Sequence, residues 1–516
     1  MAVGLPRRRP TPRRRGSARL SPVEVLAIAG SSTLVFVPLV AFGAAAPQPA
    51  LLLAGAAALT AVWLLFALPQ RRGESCLTYD QVVAGGALLL LLVLGLWTAS
   101  PWSAPWATPG WSLVPGPGSA SLDRFATRVE VVKLTGLAGA FTVGAVIGGS
   151  KPRRDAMAKV LLVLAGLYTV LAAAAYLAQP AYVLGTLKHI HNSRFTGTFF
   201  SANTAAALFG VFAVLALARP SSRGPGRSWW RDIHSWDMRL WDWWSLGRAV
   251  IRTVGPTLLF WSALLWTGSR GALISTGMAS LVVVALRTGG SPVLADMVLS
   301  SRHRFWAWPL VCAAVCSGLA GIAIATTQGE VSGGDASDRH GLYTMMAHAW
   351  LNRPWLGYGL GSFQTMNDHL AHAAKISTSW SLAAGHDLYL QWGMEGGALG
   401  TALIMIVVAF VLLPVMRRAL VDRSTLSLGV LGASLVLLFQ NTLDFSLQVF
   451  GVAVLWAFLL GLGGAGGRNR CKGQRAPAGG DSSDADTAAA LVRPKARRPA
   501  SERRPSSTSS RRARFS

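Results

Sequence analysis

The chain has 516 residues, of which 52% are hydrophobic and only 14% charged, and it carries a formal charge of +26. Soluble proteins carry about 25% charged residues, so a water-soluble globular protein is excluded and a polytopic membrane protein remains. The positive charge is gathered at the two chain ends, which argues against a nucleic-acid-binding surface and for attraction to anionic lipid.

Seven arginines fall between Arg7 and Arg19, and residues 1–22 read as a basic, disordered, cytoplasmic N-terminus. The apolar stretch from Val23 to Ala46 is too long for a signal-peptide core, and further spans follow it, so we read it as a retained first span. At ~20 residues per crossing, helices are expected at about 23–43, 49–68, 82–100, 128–148, 157–178, 200–218, 251–268, 270–286, 306–326, 386–414, 425–440 and 446–464, about twelve in all within a membrane domain over 23–464. An even count puts both tails on one side. Arg71 and Arg72, Lys151 to Arg154, Arg287, Arg302 to Arg304, and Arg417 with Arg418 then share that side, in line with the positive-inside rule.

The cytoplasmic connection 219–250 contains SWWRDIHSWDMRLWDWWSLGR, a composition suited to a helix lying in the headgroup region, with a partner-binding site as the other reading. On the opposite side, Pro101 to Phe125 is rich in Trp, Pro and Gly. A large loop at 327–385, between the ninth and tenth helices, holds Arg339, Arg353 and Lys375 as its strong bases, together with His340, His348, His369 and His372. Residues 465–516 read as a second basic, disordered cytoplasmic tail. Cys76 and Cys471 fall in cytoplasmic segments, and Cys312 and Cys316 lie one turn apart in a span, so no disulfide framework is implied. No repeat at a fixed period is visible.

Arginines on the non-cytoplasmic side run against the charge bias. Arg194 in HNSRFTGTFFSANTAA, Arg270 in WTGSRGALIS and Arg339 in SDRHG each stand near the outer end of a span. A guanidinium fork stays charged near lipid and pairs two donors with phosphate oxygens. The bland alternatives are a snorkelling side chain for Arg270, a surface helix residue behind an N-cap Asp338 for Arg339, and a loop anchor for Arg194. His386 opens a span that continues with Leu388, Leu390 and Trp392; an imidazole there can take a proton near neutral pH, although a helix-end histidine is commonly only a cap. His369 with His372, and His189 with His191, lack the accompanying ligands of a metal site. Gly357, Gly359 and Gly361 have no lysine-serine pair after them and no strand before them, so they read as a tight turn that reaches the membrane rather than a phosphate loop.

The order of these segments resembles the O-antigen ligase and O-antigen polymerase superfamily. The resemblance is carried by Arg194, Gly197, Thr198, Phe199 and Asn203, then Ser269 to Gly271, the helix with Arg339 and Trp350, the Pro354 to Gly359 turn, and His386 to Gln391 followed by Glu395 and Gly396. It implies an all-α integral membrane glycosyltransferase of the GT-C, lipid-donor type, working without metal or cofactor at the periplasmic face of the bacterial inner membrane. It further implies a polyprenyl-pyrophosphate-linked glycan donor, a lipid-linked or glycan hydroxyl acceptor, and inversion at the anomeric carbon. Under the resemblance Arg270, Arg339 and Arg194 hold the pyrophosphate, His386 is the base, and Asp387, Asn203 and Glu395 support them. Two departures stand out: Asp387 occupies a position where asparagine is frequent, and Ser201-Ala202 replaces a common Asn-Pro. Ligase, polymerase and protein O-oligosaccharyltransferase share the pattern. A solute transporter is the competing class, but its ionisable groups belong near the bilayer midplane, whereas these gather at one face.

Overall fold

The computed structural model describes residues 20–68, 79–107, 118–188, 193–219, 240–289, 335–374 and 384–466. These form α1 (Pro22–Val40), α2 (Pro47–Ala67), α3 (Tyr79–Thr98), α4 (Arg124–Gly148), α5 (Lys151–Ala178), α6 (Ala202–Leu217), α7 (Leu240–Thr267), α8 (Arg270–Gly289), α9 (Asp335–Asn352), α10 (Phe363–Ala374), α11 (Leu388–Leu420), α12 (Thr425–Gln440) and α13 (Phe450–Gly464), with one short hairpin of β1 (Tyr182–Val183) and β2 (Thr186–Leu187). Among the described residues seven helices are long and apolar enough to cross a membrane, and α6, α12, α13 and the Val254–Thr267 part of α7 are shorter apolar helices. Among the described residues the protein is all-α apart from that hairpin, as a helical membrane protein is.

The bundle is apolar outside as well as inside. Leu52 and Phe66 of α2 are 78% and 87% exposed, a cost in water that vanishes against lipid. Small residues face inward, where lipid supplies no hydrophobic drive and close packing must hold the helices together. A Cβ on Gly136 would stand 2.6 Å from Ala54, one on Gly139 2.8 Å from the Ala57 backbone, and one on Gly144 2.1 Å from the Phe458 carbonyl oxygen. Glycines of α4 thus let α2 approach on one side and α13 on another at backbone distance.

Hydrogen bonds between helix ends define two ends of the bundle. At one end Thr198 Oγ1 donates to the last turn of α1 at Leu39 O (2.5 Å), Ser121 N donates to Thr98 O at the end of α3 (2.9 Å), and Leu388 N, opening α11, donates to Asn441 O just past α12 (3.0 Å). At the other end Ser427 Oγ donates to Gly463 O (2.8 Å), Arg287 Nη1 to Leu217 O (2.9 Å), and Arg417 Nη1 pairs with Asp80 Oδ2 (2.5 Å).

Several expected boundaries move. The helix after the Trp-rich connection begins at Leu240 rather than about 251, because charged residues such as Asp242 and Arg248 end a hydropathy run without ending a helix. Helix α11 runs to Leu420 rather than 414 for the same reason, carrying Arg417 and Arg418 in its last turn. The 327–385 stretch contains α9 and α10, and Asp338 lies inside α9, which starts at Asp335, so it is not an N-cap. The expected span at 306–326, the pairs His189 with His191 and Cys312 with Cys316, and also Cys76, Lys375, Cys471 and both basic tails lie outside the described residues.

Candidate active site

Two turns bring the first group of candidates together. Gly268, with a φ of +68°, reverses the chain between α7 and α8, and Arg194 Nη2 reaches across to donate to its carbonyl oxygen (3.4 Å). Ser269, next in the turn, donates from Oγ to Asn203 Oδ1 in the first turn of α6 (2.9 Å). Arg270 follows as the first residue of α8, exposed. Arg194, Asn203 and Arg270 therefore surround one turn, although Arg194 and Arg270 are 76 positions apart. Behind them Lys188 is buried and donates from Nζ to Arg194 O (3.0 Å), with its charge 5.1 Å from the Tyr176 ring centroid. Burial pulls the Lys188 ammonium below its usual pKa.

His386 stands two residues before α11, half-buried, with a φ of +53°. A non-glycine residue there costs about 1 kcal/mol or more, so the surroundings must hold it. Tyr343 of α9 donates its hydroxyl to the His386 carbonyl (3.2 Å), and the imidazole meets Phe445 edge-on, ring centroids 5.0 Å apart at 79°. Asp387 is the N-cap of α11: its Oδ1 accepts from Tyr389 N (2.9 Å) and Leu390 N (3.0 Å). Burial pushes its carboxyl above the usual range, more than the two backbone donors pull it down. Arg339 lies on α9 one turn before Tyr343, hence on the same helical side; its side chain, like those of His340 and His372, lies outside the described residues.

The two groups meet at the segment from Gln440 to Ser446. On one flank Phe445 touches His386; on the other, a Cβ on Gly271 would stand 3.1 Å from Gln440 Oε1 and 3.6 Å from Leu443. Irregular backbone at a bundle end must satisfy its own polar groups, and this one does so with buried side chains. Asn441 Nδ2 donates to Leu437 O (2.7 Å), its Oδ1 accepts from Leu447 N (3.0 Å), and Ser446 Oγ donates to Asp444 Oδ2 (2.5 Å).

The glycine turn lies beside α11 and mends a break in it. Gly397 has φ 60° and ψ −168°, a conformation close to glycine-only, so Ala398 N and Leu399 N lose their helical acceptors. They donate instead to Pro354 O (2.7 Å) and Trp355 O (3.2 Å), while the orphaned Met394 O and Glu395 O accept from Tyr358 N (2.9 Å) and Gly359 N (2.8 Å). Gly357 is needed for the approach, since a Cβ there would lie 2.4 Å from Met394 O. Glu395 completes the joint: its buried carboxylate accepts from Gly361 N (2.8 Å), Phe363 N (3.3 Å) and Gln391 Nε2 (2.8 Å). Gln391 Oε1 in turn accepts from Gly385 N (3.0 Å), so Glu395 supports the residue before His386 through one intermediary. Arg353 donates to Ala120 O (3.2 Å) and to Trp106 O, fastening this joint to the 101–123 connection. Burial lowers its pKa, with Tyr358 acting in the opposite sense.

Residues 256–405 match the family model described as O-antigen ligase. This part of the chain is similar to that family. The match contains Arg270, Arg339, His386, Asp387 and Glu395, and it supports a membrane enzyme of glycan-transferring ligase or polymerase type. Arg194 and Asn203 lie outside the matched stretch, yet the fold sets them against its Gly268–Ser269 turn. No curated protein matches the chain.

Sequence reasoning missed Tyr343, Gln440, Asn441, Asp444 and Phe445. Its available signal was QNTLDFSLQ, a polar run separating two apolar helices. Polar residues packed between spans are costly enough to require partners, and here the partners are the segment's own backbone and the start of α11.

Proposed function

We propose that the protein transfers a glycan from a polyprenyl-pyrophosphate donor to a hydroxyl acceptor, in the manner of an O-antigen ligase, at the periplasmic face of a bacterial inner membrane. One observation carries the reading: Arg194 and Arg270 flank one turn, His386 stands across the 440–446 segment from it, and all three sit at the same end of the bundle. The arginines donate to the pyrophosphate, whose negative charge grows as it leaves; fixed donors act most strongly where charge develops. His386 takes the proton of the acceptor hydroxyl as its oxygen bonds to the anomeric carbon, and the bond from that carbon to the pyrophosphate breaks. A single displacement without metal inverts the centre. Arg339, on the helix whose Tyr343 grips His386, is the third phosphate ligand. Asn203 holds the Arg270 turn, Asp387 starts the histidine's helix, and Glu395 braces the segment before it.

Sidedness follows from charge: Arg153, Arg154, Arg417 and Arg418 stand at the opposite end, which the positive-inside rule assigns to the cytoplasm together with both termini. The test is transfer by purified protein in liposomes, supplied with polyprenyl-pyrophosphate-linked glycans and a panel of acceptors. Wild type transfers glycan, and His386→Ala lowers the rate by about 10²- to 10⁴-fold, the usual worth of a general base. Full activity in folded His386→Ala removes the base assignment; no transfer by wild type across the panel removes the function. The acceptor used separates a ligase from a polymerase or a protein O-oligosaccharyltransferase.

A further inference from the structure

At the end of the bundle away from His386, two arginines converge where four helix ends meet. Arg154 comes from the first turn of α5, Arg418 from the last turn of α11, and both face the chain leaving α13 beside the end of α4. A Cβ on Gly466 would stand 2.9 Å from Arg154 Nη1 and 3.1 Å from Arg418 Nη1, so the two guanidinium groups approach one point. Arg418 is 7% exposed. Among the described residues its Nε and Nη1 have no hydrogen-bond partner. The carboxylate within reach, Asp422 Oδ2, is 4.0 Å from Nε and mostly exposed. Arg154 makes one long bond, from Nη1 to Ala465 O (3.5 Å).

The neighbouring Arg417 differs in having a carboxylate against it, for its Nη1 donates to Asp80 Oδ2. Like charges beside each other, one buried and one half-buried, repel more strongly than in bulk water, and a buried donor without a partner is costly. The carbonyl ends of α4 and α13 ease the repulsion but supply no charge. We propose that this pair of arginines binds the phosphate of an anionic lipid headgroup. Its oxygens fit converging guanidinium forks, and basic pockets between helices at a membrane surface hold such headgroups. The site is independent of the transfer reading.

Full-length protein, stripped of lipid in an uncharged detergent, is titrated with phosphatidylglycerol, phosphatidylcholine or inorganic phosphate while thermal unfolding is followed. Phosphatidylglycerol raises the Tm of wild type, and the midpoint of that effect moves by about fivefold in concentration for each of Arg154→Gln and Arg418→Gln. The other two additives leave Tm unchanged. The proposal is overturned if phosphatidylglycerol acts equally on wild type and the double variant, which would leave the arginines as helix-end caps only. It is also overturned if phosphatidylcholine or inorganic phosphate reproduces the shift. Should the glutamine variants not fold, native mass spectrometry of wild type decides: retained phosphatidylglycerol at a defined stoichiometry supports the site, and none retained rejects it.

Discussion

At the scale of single residues, carboxylates here brace and cap the backbone. Glu395 accepts two backbone donors and one amide, so Glu395→Ala strands three buried donors and lowers stability by about 3 kcal/mol or more; Glu395→Gln, which keeps an oxygen, loses less. Thermal unfolding of the two variants measures the difference. Asp387 carries a pH signature. Burial raises its folded pKa above the ordinary aspartate value, so its ionisation opposes folding. That cost is present in full above the folded pKa and disappears as pH falls toward the unfolded value. Asp387→Asn retains a capping oxygen and removes the charge, so it should exceed wild type in Tm at neutral pH and converge with it below about pH 4. Convergence at every pH would show that burial does not strain this carboxylate. The role of Asp387 as cap also explains, in physical terms, why asparagine serves at such a position.

At the scale of elements, glycines fall into different kinds that composition cannot separate. Gly144 lies against the α13 backbone, where a Cβ would stand 2.1 Å from Phe458 O, whereas nothing lies within 4 Å of a Cβ on Gly85 in α3. Gly144→Val should therefore cost about 3 kcal/mol or prevent folding, while Gly85→Ala should be neutral or stabilising by up to about 1 kcal/mol; Tm in detergent discriminates the two. Gly397 belongs to a third kind, since its ψ of −168° at positive φ opens α11 to the Pro354–Gly359 turn. The turn's chemistry was legible as a tight glycine-rich bend. Its destination was not, because the acceptors it uses are backbone carbonyls freed by a helix break some forty residues later.

At the scale of the whole molecule, the strongest consequence is sidedness. With the native cysteines replaced, Ser193→Cys beside Arg194 should react with a membrane-impermeant thiol reagent once the outer surface of the inner membrane is reached. Asp422→Cys at the other end should react only after that membrane is opened. The reverse pattern would place the candidate site in the cytoplasm and defeat the proposed reaction. Most of the helices were legible in sequence because a span is a local property: about twenty apolar residues with their own backbone bonds suffice.

The sequence by itself determined the class, a helical membrane protein, and most span positions, and it named Arg194, Arg270 and His386 through their unusual places at span ends and Asn203 through the family resemblance. Only the tertiary structure decided which of them meet. Arg194 and Asn203 join Arg270 through the Gly268–Ser269 turn, and Phe445 of the 440–446 segment and Tyr343 of α9 hold His386 from two sides. These are long-range contacts made by polar groups that must find partners away from water, and such partners are fixed by helix packing rather than by any local pattern.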